Sequence, residues 1–182
     1  MNPSANNVAY IDGANLHKGS KQLGWELDYK KLRVWLREKY SVRQAYLFLG
    51  LVPKYKKLYT RLQEFGFTLS FKEVTYDGDG NVKGNCDADI VVQAMVDAYE
   101  NKFDKALLVS SDGDYTPLIL FLIEKGKLEA ILSPAIPKKC SVLLKRTGAR
   151  IAYIHDQQSI LEKGDQNEKA PSVDETAQGS SS

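Results

Sequence analysis

Cysteine and histidine are scarce in this chain, and their scarcity argues against several kinds of active site. The 182 residues include two cysteines, Cys86 and Cys140, and two histidines, His17 and His155. So few cysteines give no disulfide framework and little support for a zinc site, and no serine has an evident His/Asp relay. Cys86 fits better as a small buried packing residue than as a redox nucleophile. Any hydrolytic chemistry would therefore need other groups.

Long apolar runs are also missing. No stretch reaches the ~18 apolar residues needed to cross a membrane, and residues 1–7 lack the charged-then-apolar pattern of a signal peptide. We therefore expect a protein of the reducing cytoplasm with no membrane partner. The net charge is only +2, from 25 basic and 23 acidic residues. A balance of this kind permits a nucleic-acid partner without requiring one.

The composition changes near the C-terminal end of the sequence. Residues 1–162 contain the apolar runs and the helical patterns. Residues 163–182 have almost no apolar side chains, carry two lysines against four acidic residues, and end in Gly-Ser-Ser-Ser. Such a segment cannot bury enough apolar surface to offset chain entropy. The sequence predicts one globular domain, 1–162, followed by a disordered acidic and polar tail, 163–182.

Short β-rich runs alternate with helical segments along the domain. The runs are residues 8–11, 45–49, 68–74, 105–109, 128–132 and 150–154. This alternation is typical of βαβ units, whose strands form a mainly parallel sheet covered by helices. Residues 29–39 fit as an amphipathic helix, and residues 116–125 are apolar on nearly all sides, which predicts a deeply buried helix. The sequence therefore predicts an α/β fold.

Aspartates stand where the chain turns into or out of regular structure. Asp12 follows the run 8–11, Asp112 and Asp114 follow the run 105–109, and Asp87 precedes a helical segment. Because the ends of parallel strands border a crevice, we expect these carboxylates to meet there. Carboxylates are ligands for magnesium or manganese, which can activate water and stabilise charge on a phosphate. The pattern predicts metal-dependent phosphodiester hydrolysis.

Each aspartate alone also has a simpler interpretation. Asp112 could initiate a turn, Asp114 could cap the next helix, and Asp87 suits a helix N-terminus, where free N–H groups favour an acid. The combination is more informative, because independent turn and cap residues need not follow strands that neighbour each other in the sheet. Asp89 is a weaker candidate for the same site.

Other polar residues could contact a substrate near these aspartates. Gly13 would let the chain turn sharply after Asp12 and leave Asn15 able to orient a ligand, a water molecule or Asp12 itself. Lys83 lies four residues before Asp87 and could pair with a carboxylate or hold a phosphate. The simpler interpretation of Lys83 is an exposed loop lysine.

A further helix is predicted to begin at Pro53 and to end at Gly66. Its apolar face would contain Tyr55, Leu58, Leu62 and Phe65. Its basic residues would be Lys54, Lys57 and Arg61. The basic residues form either a solvated surface, which is common, or a surface that follows phosphates beside the crevice.

The motifs around the aspartates resemble those of the NYN family of PIN-like nucleases, in its bacterial stand-alone form. The resemblance covers about residues 8–160, with the motifs in the same order. It rests on Tyr10-Ile11-Asp12-Gly13-Ala14-Asn15-Leu16, on Lys83-Gly84-Asn85-Cys86-Asp87-Ala88-Asp89, and on Leu108-Val109-Ser110-Ser111-Asp112-Gly113-Asp114-Tyr115 with Pro117-Leu118. It implies a three-layer α/β/α sandwich and an acidic pocket that binds magnesium or manganese and cuts RNA.

The resemblance also assigns roles to individual residues. It makes metal-site carboxylates of Asp12, Asp87, Asp112 and Asp114, a supporting polar ligand of Asn15, and a pocket-lining residue of Ser111. The third motif of the family often contains Ser-Gly-Asp, and here Ser111 replaces that glycine, which adds a side chain where backbone can approach closely. The implied partner is RNA, single-stranded or structured, and PIN-like proteins often form homodimers.

Two other functions fit parts of the sequence. A domain that keeps the acidic pocket but has lost turnover would act as an RNA-binding or regulatory module. A phosphatase of the haloacid type also uses aspartates at strand ends, but it needs a second Asp two residues after its nucleophilic Asp. Here that position is Ala14, which makes the phosphatase a poor fit.

Overall fold

The structure is a computed structural model that describes residues 5–72 and 86–164 together with the backbone of residues 75–76 and 82–83. Its strands are β1 (Asn7–Asp12), β2 (Val42–Gly50), β3 (Thr68–Lys72), β4 (Thr75–Tyr76), β5 (Val82–Lys83), β6 (Ala106–Val109), β7 (Leu128–Ser133) and β8 (Ile151–Tyr153). Its α-helices are α1 (Gly13–Ser20), α2 (Tyr29–Tyr40), α3 (Lys56–Glu64), α4 (Asp87–Tyr99), α5 (Thr116–Glu124), α6 (Val142–Arg146) and α7 (Gln158–Leu161). Single 3-10 segments are Pro53–Tyr55, Gly113–Tyr115 and Ile154–Gln157.

Six of the strands form one sheet in the order β3-β2-β1-β6-β7-β8. Every pair in this sheet is parallel, whereas β4 and β5 form a separate antiparallel hairpin. Each of the predicted β-rich runs contributes one strand to the large sheet. The predicted α/β fold with a parallel central sheet is confirmed.

Both faces of the sheet are covered, as its strand sequences require. Strand β1 is buried along its whole length, with Ala9 and Ile11 in one apolar cluster and Val8 and Tyr10 in the other. Helices α1, α2, α3 and α7 pack on the first cluster, and α4, α5 and α6 pack on the second. The arrangement is the expected three-layer α/β/α sandwich.

The order in which successive strands are added to the sheet reverses at β1. Strands β2 and β3 are added on one side of β1, and β6, β7 and β8 are added on the other. Strand β6 pairs directly with β1, with Val109 opposite Ile11. In open α/β sheets a crevice forms at such a switch point, beyond the carboxyl ends of the strands. Asp12 and the segment that follows Val109 border this crevice.

The prediction for the helix after Pro53 was wrong about its buried face. Tyr59 and Leu62 are buried, whereas Tyr55 and Leu58 are 45% and 46% exposed. The chain first forms the 3-10 segment and only then α3. Because a 3-10 turn has about three residues instead of 3.6, Tyr55 does not keep the phase that one continuous α-helix would give it. Gly66 does end the helical region, with φ at +93°.

The prediction that residues 116–125 are deeply buried was also wrong in part. Leu118, Ile119 and Leu122 are buried against the sheet, but Leu120 is 50% exposed and Ile123 is 41% exposed. Helix α5 belongs to an outer layer, so only one side of it can face the sheet. The uniform apolar composition therefore does not correspond to uniform burial.

The C-terminal part of the described chain returns to the body of the domain. The backbone N–H of Lys163 donates to Glu26 O at 2.9 Å, and its Nζ lies 2.7 Å from Glu26 Oε1. Lys163 is thus anchored, while residues 165–182 of the predicted tail lie outside the described residues. The side chain of Lys83 lies outside them as well. Within the described ranges, no helix is long and apolar enough to cross a membrane.

Candidate metal centre

Asp12 occupies the junction between the central strand and its helix. It is the last residue of β1 and the N-cap of α1, where its Oδ1 accepts a hydrogen bond from the N–H of Asn15 at 2.9 Å. The next residue must be glycine, because a Cβ at Gly13 would lie 2.5 Å from the carbonyl oxygen of Phe48. This close packing against β2 places Asp12 at the crevice, where it is only 7% exposed.

Asp112 and Asp114 lie on the turn that follows β6. Asp112 is the N-cap of the 3-10 segment, and its Oδ1 accepts the N–H of Asp114 at 3.1 Å. This contact agrees with the simpler interpretation of Asp112 as a residue that initiates a turn. Asp114 is not the cap of α5, because the N-cap of that helix is Tyr115. The tight turn brings both carboxylates to the same edge of the sheet.

Asp87 completes a cluster of carboxylates from two separate parts of the chain. It is the first residue of α4, and Cys86 is the N-cap. One carboxylate oxygen from each of Asp87, Asp112 and Asp114 lies within 4.8 Å of the others. Asp87 and Asp112 are half-buried, and Asp114 is exposed. Three convergent oxygen donors fit a hard divalent cation such as magnesium or manganese.

The buried phenol of Tyr115 connects Asp12 to this cluster. Its hydroxyl donates to Asp87 Oδ1 at 2.6 Å and lies 3.1 Å from Asp12 Oδ2. Tyr115 is fully buried, and burial together with the two carboxylates raises the pKa of its hydroxyl far above the ordinary value. The hydroxyl therefore stays protonated and serves as a fixed donor to the acidic residues.

The electrostatics of the site disfavour a full set of unneutralised carboxylates. Burial raises the pKa of Asp12, and the nearby charges of Asp87 and Asp112 raise it further, while hydrogen bonds from Asn15 and Tyr115 act in the opposite direction. A cation bound at the cluster would oppose the effect of these neighbouring charges on Asp12.

Comparison with known proteins identifies the family of this chain. The family model described as NYN domain matches residues 7–151. The chain belongs to the NYN domain family. That span contains the acidic residues of the centre, and the match confirms the resemblance found in the sequence. The family is nuclease-like, which agrees with an acidic site at the crevice.

A solved structure shares the fold of this NYN domain. It is a crystal structure of a protein of unknown function from Vibrio parahaemolyticus RIMD 2210633, and it matches with a TM-score of 0.66 at 21% sequence identity. The match covers 85% of this chain and 96% of the Vibrio chain. At this identity the likeness concerns the fold alone. No curated protein matches the chain.

In this NYN domain Ser111 and Asn15 form a buried polar contact beneath the cluster. Asn15 Oδ1 accepts from the N–H of Ser111 at 2.9 Å and from its hydroxyl at 3.1 Å. The same hydroxyl accepts from the N–H of Ala135 at 3.0 Å, and Ser133 Oγ lies 3.3 Å away. Ser111 is 8% exposed. Its side chain links α1 to the segments that follow β6 and β7.

The remaining candidates are placed as follows by the structure. Asp89 forms an ion pair with Lys72 at 3.1 Å and is not one of the three carboxylates of the cluster. Lys54 and Lys57 are exposed on the segment that contains α3, and Lys54 lies 5.0 Å from the ring of Tyr55. Arg61 is also exposed on α3. The three basic residues Lys54, Lys57 and Arg61 follow β2 in the chain, and their helix packs on the face of the sheet that α1 and α2 cover.

Cys86 and His17 show no features of a nucleophile or a general acid. Burial raises the pKa of the Cys86 thiol, and the charges of Asp12 and Asp89 raise it further, so the thiol stays neutral. Burial, followed by the charge of Lys21, lowers the pKa of His17, which is exposed on α1. The neutral thiol agrees with the interpretation of Cys86 as a packing residue.

Sequence reasoning missed Tyr115 as a functional residue. Its hydroxyl reaches carboxylates that lie 28 and 103 positions away in the chain, and no periodicity reports such a contact. One signal was present, since Tyr115 directly follows Asp114 in the third motif. A buried tyrosine next to an acidic motif needs a partner for its hydroxyl, and here the partners are the other acids.

Proposed function

We propose that this NYN domain is a magnesium- or manganese-dependent endoribonuclease. The observation that carries the proposal is the convergence of Asp87, Asp112 and Asp114 at the switch point of the sheet. The family is nuclease-like, and a cluster of oxygen donors is what phosphodiester hydrolysis by a hard cation requires. The site would cleave internal phosphodiester bonds of an RNA strand, at phosphates that reach the crevice.

Each residue of the centre would have a distinct role. Asp87, Asp112 and Asp114 would hold the cation, which supplies an activated water and stabilises charge on the phosphate when bound. Asp12 would contribute a further carboxylate from the end of β1. Tyr115 would fix the positions of Asp12 and Asp87, because its one hydroxyl contacts both. No protein nucleophile is required.

Asn15 is suited to contact the substrate through its amide nitrogen. Its carbonyl oxygen already accepts two hydrogen bonds from Ser111, which fixes the orientation of the side-chain amide. The amide NH2 group is a donor, so it can bind a phosphate oxygen or an activated water. Pre-oriented donors of this kind stabilise developing charge without reorganisation.

The serine at position 111 does not by itself favour the alternative function, in which the domain binds RNA without cleaving it. A serine in place of glycine would weaken the site if its side chain entered the crevice. Instead its hydroxyl is buried and bonded to Asn15 and Ala135. This bonding supports a site whose carboxylates the Ser111 hydroxyl does not block.

The test is cleavage of end-labelled single-stranded RNA by the wild type, by Asp112→Asn and by Asp89→Asn, with magnesium, with manganese and with EDTA. We expect metal-dependent cleavage by the wild type. Asp112→Asn should lose at least about 100-fold, because even residues that only support metal ligands contribute 10–100-fold. Asp89→Asn is the matched control, since Asp89 pairs with Lys72 outside the cluster, and it should retain activity.

Two results would contradict the proposal. Cleavage that persists in EDTA, or that is equal in wild type and a folded Asp112→Asn variant, would remove the metal centre from the reaction. Tight RNA binding without cleavage by metal-loaded wild type would favour the regulatory module. Hydrolysis of a generic phosphomonoester would instead favour the phosphatase.

A further inference from the structure

A groove lies on the sheet face that is covered by α1, α2 and α3. Its volume is about 990 Å³, and it runs between the α1–α2 connection and α3. This size is at the upper end of the ~300–1,000 Å³ range typical of ligand sites. Side chains that matter for its chemistry are His17, Lys21, Trp25, Lys30, Arg61 and Phe65. The groove is separate from the acidic cluster, whose residues do not line it.

The charged groups that line the groove are mainly positive. Lys21, Lys30 and Arg61 are exposed, and none forms an ion pair with a carboxylate of the described residues. The two acids in the lining are already engaged, because Glu26 pairs with Lys163 and Asp28 caps α2. The groove is therefore suited to an anion, and several spaced cations favour a chain of anions.

Aromatic rings line the same groove as these cations. Trp25 and Phe65 are half-buried and line the groove, and the guanidinium of Arg61 lies 6.0 Å from the centre of the Phe65 ring. Rings next to a row of cations are the combination by which proteins bind single-stranded nucleic acid, with bases on the rings and phosphates on the cations. An acidic peptide would use the cations but would give the rings no stacking partner.

Helix α1 connects the groove to the acidic centre. The helix begins at Asp12, its N-cap, and Lys21 is its C-cap. With a rise of about 1.5 Å per residue, Lys21 lies roughly 14 Å along the axis from Asp12. His17 lies between them, on the same helix. A single strand of a few nucleotides can span this distance.

We propose that this groove is a binding site for single-stranded nucleic acid, and that it holds the strand whose scissile phosphate lies in the acidic centre. Lys21, Lys30 and Arg61 bind phosphates, and Trp25 and Phe65 stack with bases. The link to cleavage rests on the proposed ribonuclease function, whereas binding in the groove does not. The groove recognises phosphates and bases, which single-stranded RNA and DNA have in common.

The first experiment measures binding without cleavage. Fluorescence anisotropy of a fluorescein-labelled oligouridylate is recorded in EDTA for wild type, for Lys21→Ala/Arg61→Ala and for Lys125→Ala/Arg146→Ala. The control pair lies on α6 and at the end of α5, against the opposite face of the sheet. We expect roughly tenfold weaker binding for the groove variant and no change for the control. The slope of log K against log salt should fall by about 1.4, since each phosphate contact on a single strand contributes about 0.7.

The second experiment uses the tryptophans of the chain as reporters. The sequence has two, of which Trp25 lines the groove and Trp35 is buried at 6% exposure. Stacking of a base on Trp25 should quench the fluorescence of the wild type on titration with the oligouridylate. The Trp25→Phe variant keeps an aromatic ring and should bind, but the quench should disappear. A quench that persists in Trp25→Phe would overturn the stacking assignment.

Other probes separate the proposed ligand from alternatives. Equal losses in the groove and control variants would overturn the proposal, and so would equal affinity for a polyglutamate peptide or for a blunt RNA duplex. RNA and DNA oligonucleotides of the same sequence distinguish the two kinds of single strand, and binding of either supports the site.

If wild type binds RNA in the groove but does not cleave it with metal, the ribonuclease proposal fails while the groove stands. If cleavage persists unchanged in the groove variant, the groove does not hold the strand that is cut, while the ribonuclease stands.

Discussion

Tyr115 donates a hydrogen bond to Asp87 across 2.6 Å, although 28 positions separate the two residues in the chain. The contact joins the turn after β6 to the first turn of α4, and Asp12 lies 3.1 Å from the same hydroxyl. The geometry of the acidic centre therefore depends on a side chain that is not itself an acid. This dependence leads to the first prediction.

Replacement of Tyr115 by phenylalanine should weaken metal binding and cleavage about 10–100-fold, the range for residues that orient metal ligands. It should also cost about 1.5–3 kcal/mol of unfolding free energy, since the lost hydrogen bond is to a charged group. Manganese affinity by calorimetry and denaturant unfolding measure the two effects. Tyr10→Phe is the control, because the Tyr10 hydroxyl donates to buried Asp97 at 2.8 Å, away from the centre. The control should lose stability alone. Equal loss of metal affinity in both variants would refute the role of Tyr115.

Ser111→Ala should reduce stability and leave substrate binding unchanged. The hydroxyl bonds to Asn15 and to the N–H of Ala135, so its loss leaves a buried donor without a partner and costs about 1–3 kcal/mol. The backbone N–H of Ser111 still holds Asn15 Oδ1 at 2.9 Å in this variant, so KM for RNA should stay within error of the wild type. A raised KM with unchanged stability would instead show that Ser111 contacts the substrate.

Gly13→Ala should disrupt the centre more than a substitution at an open glycine. A Cβ at Gly13 would lie 2.5 Å from Phe48 O, so the end of β1 would have to shift and move Asp12. A Cβ at Gly126 meets nothing within 4 Å, and only its φ of +65° opposes alanine, at about 1–2 kcal/mol. We expect Gly13→Ala to lose more stability than Gly126→Ala and also to lose metal affinity. Thermal unfolding with and without manganese tests both points, and equal behaviour of the two variants would contradict the packing argument.

The pH dependence of stability should report the raised pKa of Asp12 when metal is removed by EDTA. Folding favours the protonated form of this buried carboxyl, so its contribution is fully present below the unfolded pKa of about 3.9 and is lost as pH rises through the raised folded pKa. In EDTA, Asp12→Asn should therefore gain stability relative to wild type as pH rises through this window. The measurement is the unfolding free energy of both proteins against pH. A difference that does not vary with pH would refute the prediction.

Much of the fold followed from local patterns in the sequence. Alternating runs located the six strands of the sheet, and the polar residues after β1 and β6 located Asp12 and Asp112 at strand ends. The pairing of β1 with β6 depends on long-range packing, which local periodicity does not specify. The family resemblance supplied that part, by implying one acidic pocket from separated motifs.

The errors and omissions have a common physical origin. Tyr55 left the predicted apolar face because Pro53 starts a 3-10 segment, and sequence periodicity assumes one helical pitch throughout. The partners of Ser111 and Tyr115 come from distant elements, so their roles depend on tertiary contacts. Side-chain contacts within a crevice are set by the folded backbone, which a periodicity argument does not specify.

The most direct test of the acidic centre is anomalous scattering from crystals soaked in manganese. The account predicts a peak bounded by carboxylate oxygens of Asp87, Asp112 and Asp114, at about 2–2.5 Å from its ligands. The peak should be absent from crystals of Asp112→Asn and present in those of Asp89→Asn. Well-ordered wild-type crystals with no peak at these three aspartates, or with manganese bound only elsewhere, would contradict the central claim.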